Sequence, residues 1–300
     1  DAAAIRYALP AGSDLIGELQ LETASRSETL LDMARRYKVG QEEIRLANPE
    51  VDRWLPEEGA PVTIPSRYIL PDAARRGLVL NLPEMRIYHF SAASDGTPAT
   101  VDTYPVSVGR MDWKTPLGET RIVRKQRNPS WHPPASVKLE AAAEGGSVPD
   151  VVPPGPDNPL GAYALRLGRP GYLIHGTNKP YGVGMRVTHG CVRLLPEDIE
   201  ELFGRVTVGT PVQIVNQPVK TGWQDNVLFI EVHPPLEEDA TAREDLYRFS
   251  LERVYEELEK HPAVLDAEAL REAVAGAHGV PVAISRPDAS GRPITNPLFR

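Results

Sequence analysis

Cysteine is almost missing from this chain: its 300 residues include one, Cys191. A lone sulfur closes no internal disulfide, and a structural zinc site would need three further ligands. Long hydrophobic runs are missing as well. No stretch of about 18 apolar residues occurs, which excludes a membrane-spanning helix. Positive charge is scarce, with 33 Lys and Arg against 41 Asp and Glu, and the net charge of −8 argues against a nucleic-acid partner. What is abundant is proline. Its 30 residues are roughly twice the usual share and imply many extended segments and turns. At 41% apolar residues, the length allows about two domains with packed cores.

The single thiol sits in Thr188-His189-Gly190-Cys191-Val192-Arg193. Upstream, the short apolar run Leu173-Ile174 ends in His175-Gly176-Thr177-Asn178, and a glycine-rich stretch through Tyr181, Gly182 and Gly184 joins the two segments. That stretch reads as a loop, so it can bring His175 and Cys191 together from the ends of neighbouring strands. The pairing has a chemical purpose. A thiol with a free pKa near ~8.5 is only a few per cent thiolate at neutral pH, and a nearby imidazole can take its proton. Gly190 leaves the N–H groups of Gly190 and Cys191 unshielded for a developing oxyanion. Arg193 offers a fork of donors for a substrate carboxylate. Taken singly, these residues read as a core histidine, turn glycines and a surface cation; it is their joint occurrence around the only sulfur that points to nucleophilic catalysis.

The stretch from His175-Gly176-Thr177-Asn178 to Thr188-His189-Gly190-Cys191-Val192-Arg193 closely resembles the signature of L,D-transpeptidases, the YkuD-type catalytic domain. Thr115-Pro116-Leu117-Gly118 is similar to that family's strand-entry turn, and Pro153 to Gly161 to the segment leading into its active-site strands. The resemblance is closest to the periplasmic branch that attaches an outer-membrane lipoprotein to peptidoglycan. It implies Cys191 as nucleophile, His175 as general base, His189 and Gly190 beside them, and Arg193, Gly176 and Thr188 on the substrate. Spacing alone leaves either histidine open as the base; His175 is favoured because it comes from a neighbouring strand. No metal or organic cofactor is implied, and a metal site from His175, His189 and Cys191 lacks a fourth ligand nearby in sequence.

Three units are expected: residues 1–70, 71–216 and 217–300. In the first, Ile5 to Leu9 reads as a strand, Ser27 to Tyr37 as a helical stretch capped by Ser27, Gln41 to Ala47 as a second helix, and Pro61 to Pro65 as a strand. This order resembles a LysM module, which binds N-acetylglucosamine-containing glycans, with an insertion from Ala11 to Thr23 between first strand and first helix. The second unit reads as a β-rich sandwich of short strands with one helix from Pro196, crossed by a long proline-rich loop from Ser130 to Pro159. The third is a strand at Leu228 to Val232 followed by helices over Ala240 to Lys260 and Asp266 to Ala277, with a docking or bracing role as the default. The expected fold class is therefore mainly β with some α: a β-sandwich catalytic domain, a small α+β LysM-like domain and a C-terminal helical segment.

The leading functional expectation is acyl transfer through a Cys191 thioester on peptidoglycan tetrapeptide stems, releasing D-alanine. The acceptor is a lipoprotein lysine, an amine of another stem or a free D-amino acid. The alternatives are a hydrolase of the same bonds and a non-catalytic cell-wall binding protein. The chain starts at Asp1 with no leading methionine and no charged-then-apolar leader, so a periplasmic, mature form with its export signal removed is expected.

Overall fold

The computed structural model describes residues 5–9, 11–94, 98–110 and 114–287; the last 13 residues of the third expected unit lie outside them. Nine strands form one sheet in the order Ile5–Ala8, Thr100–Pro105, Arg86–Ser91, Gly77–Asn81, Pro211–Val215, Gly118–Arg127, Tyr163–Leu167, Leu173–His175 and Val192–Arg193. Neighbours run antiparallel except for two parallel pairs, Gly77–Asn81 with Pro211–Val215 and Leu173–His175 with Val192–Arg193.

Where the sequence predicts the two sheets of a sandwich, the strands are hydrogen-bonded into one. The strand Gly118–Arg127 serves both halves. Its Gly118–Arg121 end pairs with Pro211–Val215 and its other end with Tyr163–Leu167, with a register shift between Ile122 and Arg124. Such irregularities bend a strand. Leu78, Leu80, Ile87 and Tyr104 from one half then share a core with Leu165, Ile174 and Val192 from the other and with Ile199 and Leu202 of the helix Pro196–Arg205.

The N-terminal unit corrects three expectations. Ile5–Ala8 is not its opening strand but the edge of the large sheet, paired with Thr100–Thr103. The strand that precedes the first helix is Gln20–Thr23, antiparallel to Pro61–Ile64, so the supposed insertion is itself part of the module. The helix Leu30–Arg36 is capped by Thr29 rather than Ser27. The Thr29 hydroxyl accepts from Asp32 N at 3.1 Å while the Asp32 carboxylate accepts from Thr29 N at 3.0 Å. With the second helix Gln41–Ala47, this strand–helix–helix–strand unit encloses its own core of Leu30, Met33, Ile44, Val62 and Ile64.

Beyond residue 216, the hairpin of Val219–Gln224 and Val227–Val232 packs against helices to form a third core. The helix expected over Ala240 to Lys260 is two, Ala240–Glu244 and Leu246–Lys260. Asp245 breaks the run and caps the second piece, its carboxylate accepting from Arg248 N at 2.8 Å. Among the described residues, no helix is long and apolar enough to cross a membrane.

Candidate active site

The parallel pair at the edge of the sheet decides how the site is built. Ile174 lies opposite Val192 and His175 opposite Arg193. Because side chains alternate across a strand, Ile174 and Val192 turn into the core and both are buried, while Leu173, His175, Cys191 and Arg193 take the other face. His175 ends one strand of this pair and Cys191 directly precedes the other.

The imidazole is buried and its orientation is fixed. Its Nδ1 lies 2.6 Å from the carbonyl oxygen of Gly176, an acceptor, so Nδ1 carries the proton and Nε2 is left with its basic lone pair. Burial, reinforced by the charge of Arg193, pushes the His175 pKa down from 6.5 to about 4, against the pull of the Gly176 and Leu160 carbonyls. The half-buried Cys191 thiol is pushed up by burial, opposed by the Leu173 backbone and by Arg193. Its Sγ donates weakly to Gly171 O at 3.6 Å. At neutral pH the thiol and the imidazole therefore both rest uncharged.

The turn before the sulfur depends on glycine. Gly190 has φ +95°, which a side chain would strain, and its carbonyl accepts from the buried Thr115 hydroxyl at 2.9 Å. Thr115 in turn accepts from Gly109 N at 3.0 Å. This arrangement turns the Gly190 carbonyl into the protein. Among the described residues, neither the Gly190 nor the Cys191 N–H donates to another group.

Two residues expected to contact substrate do not face it. Thr188 is buried and its hydroxyl donates to the Cys191 carbonyl oxygen at 2.5 Å, tightening the turn. Gly176 is buried behind the imidazole as its hydrogen-bond acceptor. Arg193 differs: its Nε is buried and makes no hydrogen bond among the described residues, leaving a desolvated cation for an anionic ligand. His189 Nε2 lies 2.7 Å from Glu140 of the proline-rich segment.

Sequence reasoning missed how many units converge on the loop between His175 and Cys191. Gly184 of that loop lies against Gly40 of the N-terminal module so closely that a Cβ on it would stand 2.6 Å from the Gly40 Cα, and Glu42 N donates to Gly184 O at 3.2 Å. Arg186 pairs with Glu238 of the C-terminal unit at 3.1 Å and donates to Gly109 O. Ser107 donates to Gly182 O at 2.8 Å. The Thr-Pro-Leu-Gly turn and the long proline-rich loop from Ser130 to Pro159 were visible in advance; Glu140 and Glu238 carry no motif of their own.

Set against known proteins, the chain matches the YkuD family model, L,D-transpeptidase catalytic domain, over residues 75–214. It is 40% identical over 291 residues to Probable L,D-transpeptidase YbiS of Escherichia coli, covering 95% of this chain and 93% of that protein. Probable L,D-transpeptidase ErfK/SrfK of Salmonella typhimurium is 43% identical over 238 residues, covering 78% of this chain and 75% of that protein. The crystal structure of L,D-transpeptidase 3 from Mycobacterium tuberculosis matches at 18% identity and a TM-score of 0.34, over 54% of this chain and 73% of that one, too loosely to bear on the site. The chain belongs to the L,D-transpeptidase family. It is an enzyme of the transferase class.

Proposed function

We propose that this enzyme transfers the acyl group of a peptidoglycan tetrapeptide stem to an amine by way of a Cys191 thioester. His175 Nε2 takes the thiol proton as the sulfur attacks the carbonyl that precedes the terminal D-alanine. The oxyanion that forms accepts hydrogen bonds from the N–H groups of Gly190 and Cys191. When the tetrahedral centre collapses, the C–N bond breaks, His175 returns its proton to the departing D-alanine amine, and the acyl group stays on sulfur. An acceptor amine then attacks the thioester, losing its proton to His175, and the thiol is regenerated as the new amide forms. Arg193 holds a carboxylate of the stem throughout.

The observation that carries this reading is the shared face of the parallel strands, with an imidazole whose Nδ1–H is already committed to Gly176 O. We read the strand–helix–helix–strand unit at 20–64 as a LysM-like module, a reading its element order supports. In this reading it holds glycan while bracing the active-site loop, and the enzyme works in the periplasm, where its substrate is. A lipoprotein lysine is the acceptor we favour.

The test is to incubate the protein with tetrapeptide-stem muropeptides and a lysine-ended acceptor peptide and to identify products by mass. A tripeptide–lysine adduct with release of D-alanine is expected. Free tripeptide alone would make the enzyme a hydrolase, and no release of D-alanine would overturn the reading.

A further inference from the structure

The proline-rich segment is a closed loop with a neck and a tip. Trp131 and Val152 exchange two backbone hydrogen bonds of 2.9 Å, and Asn158 Nδ2 donates to Pro129 O at 2.8 Å. At the tip lies the helix Ala135–Ala143, of which no residue is buried. An element with no buried apolar face is placed by its polar contacts. Lys138 pairs within the segment, with Asp150. Glu140 reaches out of it. One carboxylate oxygen bonds to His189 Nε2 at 2.7 Å and the other to the Arg110 guanidinium. His189 is two residues from the nucleophile, and Arg110 N donates to Thr188 O at 3.1 Å in the same turn.

A carboxylate held by an arginine and a histidine beside a nucleophile that acts on a polyanionic peptide is placed like a ligand. We propose that Glu140 is a specificity-determining residue: its carboxylate stands in for a carboxylate of the stem peptide, and the incoming substrate displaces it from Arg110 and His189. This rests on the transpeptidase reading above. Exchange of one carboxylate for another keeps an acceptor on His189 Nε2 and a counter-charge on the Arg110 guanidinium, whereas a neutral carboxamide in the same place supplies no counter-charge. Binding of an acidic stem and release of the tip helix are thereby one event. Arg193, whose Nε is buried with no hydrogen bond among the described residues, is left for a second carboxylate of the same peptide.

The test uses the full chain and the rate of D-alanine release from the unmodified stem tetrapeptide and from stems amidated at each non-terminal carboxylate in turn. Glu140→Gln removes the internal competitor. It should raise kcat/KM on the unmodified stem about 5-fold, the scale of an exposed ion pair, mainly through a lower KM. Amidation at one position should cancel that gain, and Glu140→Asp should stay within about 2-fold of wild type on every stem. A Glu140→Gln effect equal on all stems, a uniform loss, or a Glu140→Asp variant that behaves like Glu140→Gln would overturn the proposal. Failure of the wild type to release D-alanine from any stem would overturn the transpeptidase reading and this proposal with it.

Discussion

Two buried polar clusters in this molecule are built on opposite terms. At the junction of the three units, the Lys220 ammonium donates to Ile69 O at 2.6 Å and pairs with Glu84 at 2.9 Å and Glu231 at 2.8 Å. His233 bonds the same Glu231 at 2.7 Å, and Tyr88 donates to Glu84. Glu84, Glu231 and His233 lie close enough together to hold a metal ion, but the ammonium already supplies the positive charge. Each of the three ammonium protons has a partner. In the active site, by contrast, desolvation disfavours the charged forms of the half-buried Cys191 thiol and the buried His175 imidazole, and Arg193 Nε has no hydrogen-bond partner among the described residues. A satisfied cluster spends its interactions on joining the units. An unsatisfied one keeps them for a substrate.

The contrast predicts that substitutions in the two clusters damage different properties. His175→Ala should lower D-alanine release by about three powers of ten, because the thiol loses its proton acceptor, while the melting temperature stays near wild type. An equal loss with His189→Ala would move the base to the other histidine. Lys220→Met should act the other way round. It leaves Glu84 and Glu231 buried without their cation and should cost about 3–5 kcal/mol in chemical denaturation, with the rate per folded molecule retained. A fully stable Lys220→Met would erase the distinction between the clusters.

The pH dependence sharpens the same point. A depressed imidazole pKa means that His175 stays neutral, and able to accept a proton, as the pH falls below 6.5, until about 4. The acid limb of kcat/KM should therefore bend near 4 and not near 6.5. Alkylation of Cys191 by iodoacetamide should rise only above the ordinary thiol range, because burial raises the thiol. Smallest of all should be Glu238→Gln, which loosens Arg186 in the loop between base and nucleophile. A loss of about 3- to 10-fold in kcat/KM is expected, the scale of one partly buried ion pair, and an unchanged rate would show that the C-terminal unit does not brace the loop.

Much of this was legible in the residues. The short strands announced themselves by alternation, and the His-Gly and Thr-His-Gly-Cys segments announced a site because chemistry needs those residue types whatever the fold. What failed was long-range pairing. Nothing local in Ile5–Ala8 distinguishes pairing with Thr100–Thr103 from pairing inside the N-terminal unit, and the partner lies some hundred residues away. Thr188 and Gly176, which the resemblance implies as substrate contacts, are instead buried, the Thr188 hydroxyl on the Cys191 carbonyl and the Gly176 carbonyl on the His175 imidazole. Glu140 and Glu238 carry no signal of their own in the sequence, and only the fold brings them to the loop. A cap is more local, yet even there Ser27 and Thr29 compete, and the Thr29–Asp32 spacing wins because it satisfies two backbone donors.

The most direct test of the account is the intact mass of the enzyme mixed with a tetrapeptide stem in the absence of any amine acceptor. The account predicts an adduct equal to the stem minus D-alanine, located on Cys191, absent from Cys191→Ala and removed on adding an amine. Release of D-alanine with no adduct at any time, or an adduct that persists in Cys191→Ala, would contradict it.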